Sequence, residues 1–160
     1  MSKYRIKMDA KRCINCHSCE VLCKVKNSTP KGSSLNRIIS QFEVSEEGLP
    51  RLRLKYQPCF HCKKPECVPA CPEDALYIRD KDGIVLLREE LCDGCLECLH
   101  ACPWHVPVYN AQTGRMIKCD FCVDRIDSDL DPACVTGCTT HALKFVLTRE
   151  KKPEKTAEND

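Results

Sequence analysis

The sequence predicts an α+β fold of short helices and β-hairpins that is held by cross-links through cysteine rather than by a large apolar core. Three observations predict it. Sixteen of the 160 residues are cysteine, and they fall into four groups of four. Hydrophobic residues make up 42% of the chain, but that share includes the cysteines, and what remains is thin for one ordinary core. Between the groups run short apolar or alternating segments broken by Asp, Asn and Gly, the pattern of hairpins.

The first group is Cys13, Cys16, Cys19 and Cys23, and the third is Cys92, Cys95, Cys98 and Cys102. Both have the spacing C-x₂-C-x₂-C-x₃-C of bacterial iron–sulfur loops. The second, Cys59, Cys62, Cys67 and Cys71, widens the middle gap to four residues, and the fourth, Cys119, Cys122, Cys134 and Cys138, widens it to eleven. All four keep the opening C-x₂-C and the closing C-x₃-C. Three thiolates on a short loop reach three corners of an iron–sulfur cube. The next cysteine begins a helix that leads away and ligates the cube of a partner group. Spacing thus requires a foreign fourth ligand without saying which. Pro72 and Pro103 follow Cys71 and Cys102 as this run expects, whereas Lys24 and Thr139 follow Cys23 and Cys138.

Two other uses of cysteine compete. Structural zinc takes two separated C-x₂-C hooks, but most hooks here have a third cysteine close behind. A disulfide framework belongs to secreted chains, and the N-terminal residues carry no apolar signal core and no twin arginine. No apolar run approaches the roughly 20 residues that span a bilayer. These features predict a chain without a membrane span in the cytoplasm, or in the periplasm only if a partner's signal exports it. The formal charge of +2 gives no basic patch for nucleic acid. Four cubanes, each −2 with its thiolates, would take the charge to roughly −6. The six glycines are isolated, with no G-x-G and no P-loop, and every cysteine belongs to a quartet, so the chain is expected to be no enzyme in its own right.

In chain order, each group opens a short helix. Residues 27–57 form an insertion that starts with the turn-rich 27–34. Within it Arg51 to Tyr56 alternates strictly, with Arg51, Arg53 and Lys55 on one face and Leu52, Leu54 and Tyr56 on the other. This suits a solvated face over a packed face, or a partner's docking surface. Leu76 to Arg79 and Ile84 to Leu87 flank the turn Asp80-Lys81-Asp82-Gly83, and Val108 to Asn110 and Arg115 to Lys118 flank Ala111-Gln112-Thr113-Gly114. Ala142 to Leu147 reads as a closing strand. Residues 1–148 are therefore expected to be one four-cluster domain with a central two-cluster module at 58–112, and 149–160 a disordered polar tail.

Three segments carry a family resemblance: Cys13-Ile14-Asn15-Cys16-His17-Ser18-Cys19-Glu20 with Cys23-Lys24 and Asn27; Lys118-Cys119-Asp120-Phe121-Cys122-Val123-Asp124-Arg125; and Asp131-Pro132-Ala133-Cys134. With them the chain, to about residue 148, resembles the iron–sulfur electron-transfer subunits of molybdopterin and tungstopterin oxidoreductases such as dimethyl sulfoxide reductase and formate dehydrogenase. The resemblance implies tandem ferredoxin-like modules with pseudo-twofold symmetry around four [4Fe–4S] clusters. It pairs the first group with the fourth and the second with the third. Cys13, Cys16 and Cys19 then take Cys138, and Cys119, Cys122 and Cys134 take Cys23. Cys59, Cys62 and Cys67 take Cys102, while Cys92, Cys95 and Cys98 take Cys71.

The function implied is a relay of single electrons between a large Mo/W-pterin catalytic subunit, of formate- or aldehyde-oxidising type, and a further donor or acceptor such as a flavoprotein, ferredoxin or hydrogenase. Copies of the chain stacked in a wire are a further expected partner. The alternatives are a free-standing polyferredoxin or hydrogenase-associated carrier, and more distantly a zinc-binding interaction module. Lys24, His17, His61, His100 and Lys118 stand beside ligands, where a cation or donor would tune a cluster or simply pack, and Trp104 and His105 are expected to pack.

Overall fold

The structure is a computed structural model that describes residues 2–148. The polar tail expected at 149–160 lies outside the described residues. The elements are β1 (Tyr4–Met8), α1 (Ser18–Lys26), β2 (Arg37–Val44), β3 (Pro50–Gln57), β4 (Leu76–Ile78), β5 (Val85–Leu87), α2 (Glu97–His100), β6 (Val108–Asn110), β7 (Arg115–Ile117), α3 (Val123–Ile126), α4 (Ala133–Thr136) and β8 (Leu143–Leu147). The strands form four antiparallel pairs, β1–β8, β2–β3, β4–β5 and β6–β7. Three pairs are the expected hairpins; β4, β5 and β7 are each one residue shorter than the runs expected, β6 matches its run, and β3 extends one residue beyond Arg51 to Tyr56 at each end. The fourth, β1–β8, joins the two ends of the described chain, a contact that no local pattern encodes.

The register of these pairs places the cysteine loops. Met8 pairs with Leu143, and Leu76 pairs with Leu87. Cys13 follows the first rung by five residues and Cys138 precedes it by five, while Cys92 and Cys71 stand in the same relation to the second. Cys59 and Cys119 likewise each follow a hairpin strand by two residues, Gln57 of β3 and Ile117 of β7.

The apolar core is small and part of it is sulfur. One cluster of buried residues comprises Cys19, Cys23, Leu35, Cys134, Val135 and Leu143, and another comprises Leu76, Val85, Cys98 and Met116. Four of these ten are cysteines, so the core and the cysteine quartets share residues. A buried ion pair adds a link away from the loops: Arg79 holds the almost fully buried Asp82, with Nε 3.0 Å from Oδ1, and reaches Asp127 at 2.7 Å beyond α3.

The β2–β3 hairpin has the two faces expected from its alternation. Its register puts Ile38, Phe42, Leu52, Leu54 and Tyr56 on one side and Arg37, Arg51, Arg53 and Lys55 on the other. The apolar side is packed only at its base, where Leu54 is buried, whereas Phe42 and Val44 at the tip are 82% and 75% exposed. A packed face under a solvated face therefore describes half the hairpin.

Glycine is required at one loop. Gly94, between Cys92 and Cys95, has φ +78°, and a Cβ there would come within 2.1 Å of the Gly114 carbonyl oxygen in the β6–β7 turn. Gly94→Ala combines left-handed strain with a backbone clash and should cost about 2–4 kcal/mol. Chemical denaturation of the metal-loaded protein measures this, and an unchanged midpoint would show that the loop tolerates a side chain.

Candidate iron–sulfur centres

The four C-x₂-C hooks share one backbone device. The residue just before the second cysteine is left-handed in every case: Asn15 at φ 56°, His61 at 44°, Gly94 at 78° and Phe121 at 59°. A left-handed residue among right-handed ones turns successive N–H groups inward, forming a concavity that receives anions, iron–sulfur groups among them. After the closing cysteine the chain turns back. Asp74, His105 and His141 are left-handed, and their N–H groups bond to the carbonyls of Cys71, Cys102 and Cys138 at 3.4, 3.0 and 2.9 Å. The turn after Cys138 thus forms without the proline. After Cys23, Lys24 lets α1 run on to Lys26 instead.

These loops bring distant cysteines together. Cys13, Cys16, Cys19 and Cys138 line one cavity, closed on its apolar side by Ile38 and Leu143. Burial pushes the Cys19 thiol up to about 12, with Glu20 and the neighbouring Cys134 and Cys138 adding to it. Burial also raises Cys23 to about 12, and Cys134 and Cys122 stand next to it. Cys67 is raised to about 11 by burial, opposed by Lys118, with Cys59 and Cys102 beside it. Burial raises Cys98 to about 12, with Cys67, Cys92, Cys71 and Cys95 around it. Cys119 is pushed well up by burial and has Cys59, Cys23 and Cys134 as neighbours. Thiols so raised stay protonated at neutral pH, so binding of a metal here releases protons.

Several donors point at sulfur. The amide of Ala142 bonds to Cys138 Sγ at 3.2 Å, that of Met116 to Cys92 Sγ at 3.4 Å, and Asn27 Nδ2 to Cys23 Sγ at 3.4 Å. Burial works to raise Cys138, but the surrounding N–H groups of Leu143, Ala142 and Thr140 outweigh it and the net shift is down. The Tyr56 phenol is pushed well up by burial and then by the Cys134 thiol. Sequence reasoning missed Tyr56, Met116 and Ala142, because none is near in sequence to the cysteine it serves except Ala142, whose donor is backbone.

The residues singled out beside the ligands divide. Lys118 is buried, and its Nζ donates to the carbonyls of Val85 and Cys119, the latter at 2.7 Å, with its charge beside Cys67. His61 is 1% exposed, and its Nδ1 accepts the Val85 amide at 3.0 Å. Burial, then Lys118, holds it well below its ordinary range, so it is neutral and packs on Phe121. Lys24 donates to the carbonyls of Pro30 and Ser33, fixing the loop before β2. His17 and Glu20 pair at 3.0 Å on the surface, and His100 is exposed. Trp104 packs edge-on to Phe60, and His105 meets the Leu99 carbonyl at 3.2 Å.

The donor set fits iron–sulfur clusters. Thiols gather from separate loops, and N–H groups turn toward them. Among the described residues no three of His, Cys, Asp or Glu converge on one ion. No helix among the described residues is long and apolar enough to cross a membrane.

The 4Fe–4S dicluster domain family matches residues 52–148, a span that holds the last three quartets. The thiosulfate reductase electron transfer subunit of Salmonella typhi is 42% identical over 146 residues, covering 90% of this chain and 76% of that protein. A subunit of the tetrathionate reductase of Salmonella typhimurium is 40% identical over 144 residues, 85% of this chain and 54% of that protein. A component of the anaerobic dimethyl sulfoxide reductase of Escherichia coli is 36% identical over 153 residues, 90% of this chain and 73% of that protein.

Proposed function

The protein belongs to the 4Fe–4S dicluster domain family, and on that premise we propose that it is the electron-transfer subunit of a molybdopterin-type reductase complex acting on an oxidised sulfur compound. The observation that carries the cluster part of this reading is the cavity lined by Cys13, Cys16, Cys19 and Cys138, three from one end of the chain and one from near the other, and the relatives' names carry the rest. The chain is not the catalytic component; its relatives are named as electron-transfer or iron–sulfur subunits. Their names concern thiosulfate, tetrathionate and dimethyl sulfoxide, so the formate- or aldehyde-oxidising partner expected from the sequence gives way to a reductase.

The ligand sets in this reading are Cys13, Cys16, Cys19 and Cys138; Cys119, Cys122, Cys134 and Cys23; Cys59, Cys62, Cys67 and Cys102; and Cys92, Cys95, Cys98 and Cys71. The matched five-residue offsets about the Met8–Leu143 and Leu76–Leu87 rungs support this pairing and a pseudo-twofold relation between halves. In that relation β2–β3 is the enlarged counterpart of β6–β7, and 58–112 is the central module.

When bound, each cluster takes up and releases one electron. The chain's residues set the order and the field. Neighbouring pairs Cys19 and Cys134, Cys119 and Cys59, and Cys67 and Cys98 link the quartets in series. The two exposed cysteines, Cys16 and Cys95, belong to the terminal quartets of that series. Each end therefore has a cysteine at the surface where a redox partner can meet it, while neither central quartet has a fully exposed one. Lys118 supplies a buried positive charge between the two central quartets. Assembly in a compartment that keeps thiols reduced suits sixteen ligand cysteines, which favours the cytoplasm.

Anaerobic reconstitution should give about sixteen iron and sixteen sulfide per chain. Stoichiometric zinc without sulfide would end this reading in favour of a zinc module. Affinity isolation from the native host should bring down a large pterin-containing protein, and recovery of the small chain alone at every salt concentration would leave only the free-standing carrier.

A further inference from the structure

Tyr56 lies near the end of β3, opposite Ile38, on the packed side of the hairpin base. Its ring rests against the core cluster that contains Cys19, Cys23 and Cys134. Part of the ring is exposed, but the hydroxyl oxygen is fully buried and has no hydrogen-bond partner. Buried polar atoms are seldom left in that state, because the water lost on folding has not been replaced. Of the three thiols in that cluster, Cys134 acts most strongly on the phenol, and no well-formed hydrogen bond joins the two.

A phenylalanine would fill the same space and leave no orphan, so packing alone does not account for the oxygen. A protonated thiol is a weak acceptor, whereas a thiolate is a strong one. The mismatch disappears once Cys134 carries negative charge as an iron ligand. We propose that the Tyr56 hydroxyl donates a hydrogen bond to the Cys134 thiolate and thereby raises the reduction potential of the cluster held by Cys119, Cys122, Cys134 and Cys23. The proton stays on oxygen throughout. The bond strengthens as negative charge accumulates on sulfur, so it stabilises the reduced form more than the oxidised one. Tyr56 is a positioning residue that acts through Cys134, and it comes from the hairpin rather than from any cysteine loop. The hairpin therefore contributes to the second centre of the series as well as to the surface. This inference rests on the cluster reading above.

The test compares the reconstituted chain with Tyr56→Phe and Leu54→Val, with iron and sulfide measured first and each centre then titrated potentiometrically under electron paramagnetic resonance. Tyr56→Phe should keep the full iron content and lower the potential of one centre out of four. The expected fall in its reduction equilibrium is up to about tenfold, or about 59 mV for one electron. Leu54→Val loosens the same face of the hairpin base without touching the hydroxyl or the lining of any cysteine cavity, and should leave all four potentials in place. In deuterated water the unsubstituted protein should lose one exchangeable proton coupling at that centre that Tyr56→Phe never shows, beside any from Asn27. Four unchanged potentials in Tyr56→Phe, an equal shift in Leu54→Val, or the same exchangeable couplings in Tyr56→Phe as in the unsubstituted protein would each overturn the proposal while leaving the cluster reading intact. A chain that takes up no iron or sulfide would overturn both.

Discussion

Cys138→Ser should damage the cluster at the N-terminal loop and spare the one whose other ligands stand closest to it in sequence. Cys138 follows Cys134 by only four residues, so local reasoning would assign both to one site. The fold argues otherwise. The β1–β8 pairing delivers Cys138 to the cavity of Cys13, Cys16 and Cys19, while Cys134 faces Cys23 and Tyr56. Serine offers a poorer ligand at one corner, so the variant should keep at most about three intact cubanes of four. A double-mutant cycle identifies the damaged site. If Cys13 and Cys138 hold one cluster, Cys13→Ser with Cys138→Ser should lose no more iron than the worse single variant, because the second change falls on a centre already broken. Cys138→Ser combined with Cys122→Ser should lose two. Additive loss in the first pair and non-additive loss in the second would refute the exchange of ligands.

Chelation of iron should abolish cooperative unfolding altogether. Four of the ten residues in the two buried clusters are cysteines, so removing metal removes the cross-links and leaves buried thiols in place of a packed core. Domains of this size hold their fold by only about 5–15 kcal/mol, and metal ligation in small metalloproteins contributes free energy of that order. Near-ultraviolet circular dichroism and a thermal scan of the apo-chain should show no sigmoidal transition. The surviving β2–β3 hairpin cannot stand by itself, since two strands without a packed face are marginal in water. A cooperative transition retained after complete metal removal would mean that the apolar residues alone suffice to fold the chain.

Much of this was legible in the residue order, for a local reason. A C-x₂-C hook is a few residues long, and its loop geometry follows from its own backbone, so the four quartets could be read from spacing. The hairpin faces follow from the period of two along a strand, as the β2–β3 register bears out. The turn after a closing cysteine was only half legible. Proline signals it after Cys71 and Cys102, yet the same turn forms after Cys138 with threonine, because the amides of His141 and Ala142, just before β8, bond back to Cys138 and hold the chain there. After Cys23 nothing holds it, and the helix continues.

The roles of His61, Lys24 and Lys118 were open on sequence, since each stands beside a ligand. Burial separated them: Lys118 is a charge enclosed between quartets, His61 is neutral packing, and Lys24 ties down a loop. Tyr56 carried no signal at all, being one aromatic in an alternating strand. By itself the sequence determined that the cysteines fall into four quartets and how they are spaced within each. Only the tertiary structure brought Cys138 into the cavity of Cys13, Cys16 and Cys19, because that depends on the pairing of β1 with β8 across the whole chain. It also decided which polar groups near sulfur are dry, since burial is a property of packed neighbours and not of any residue's place in the sequence.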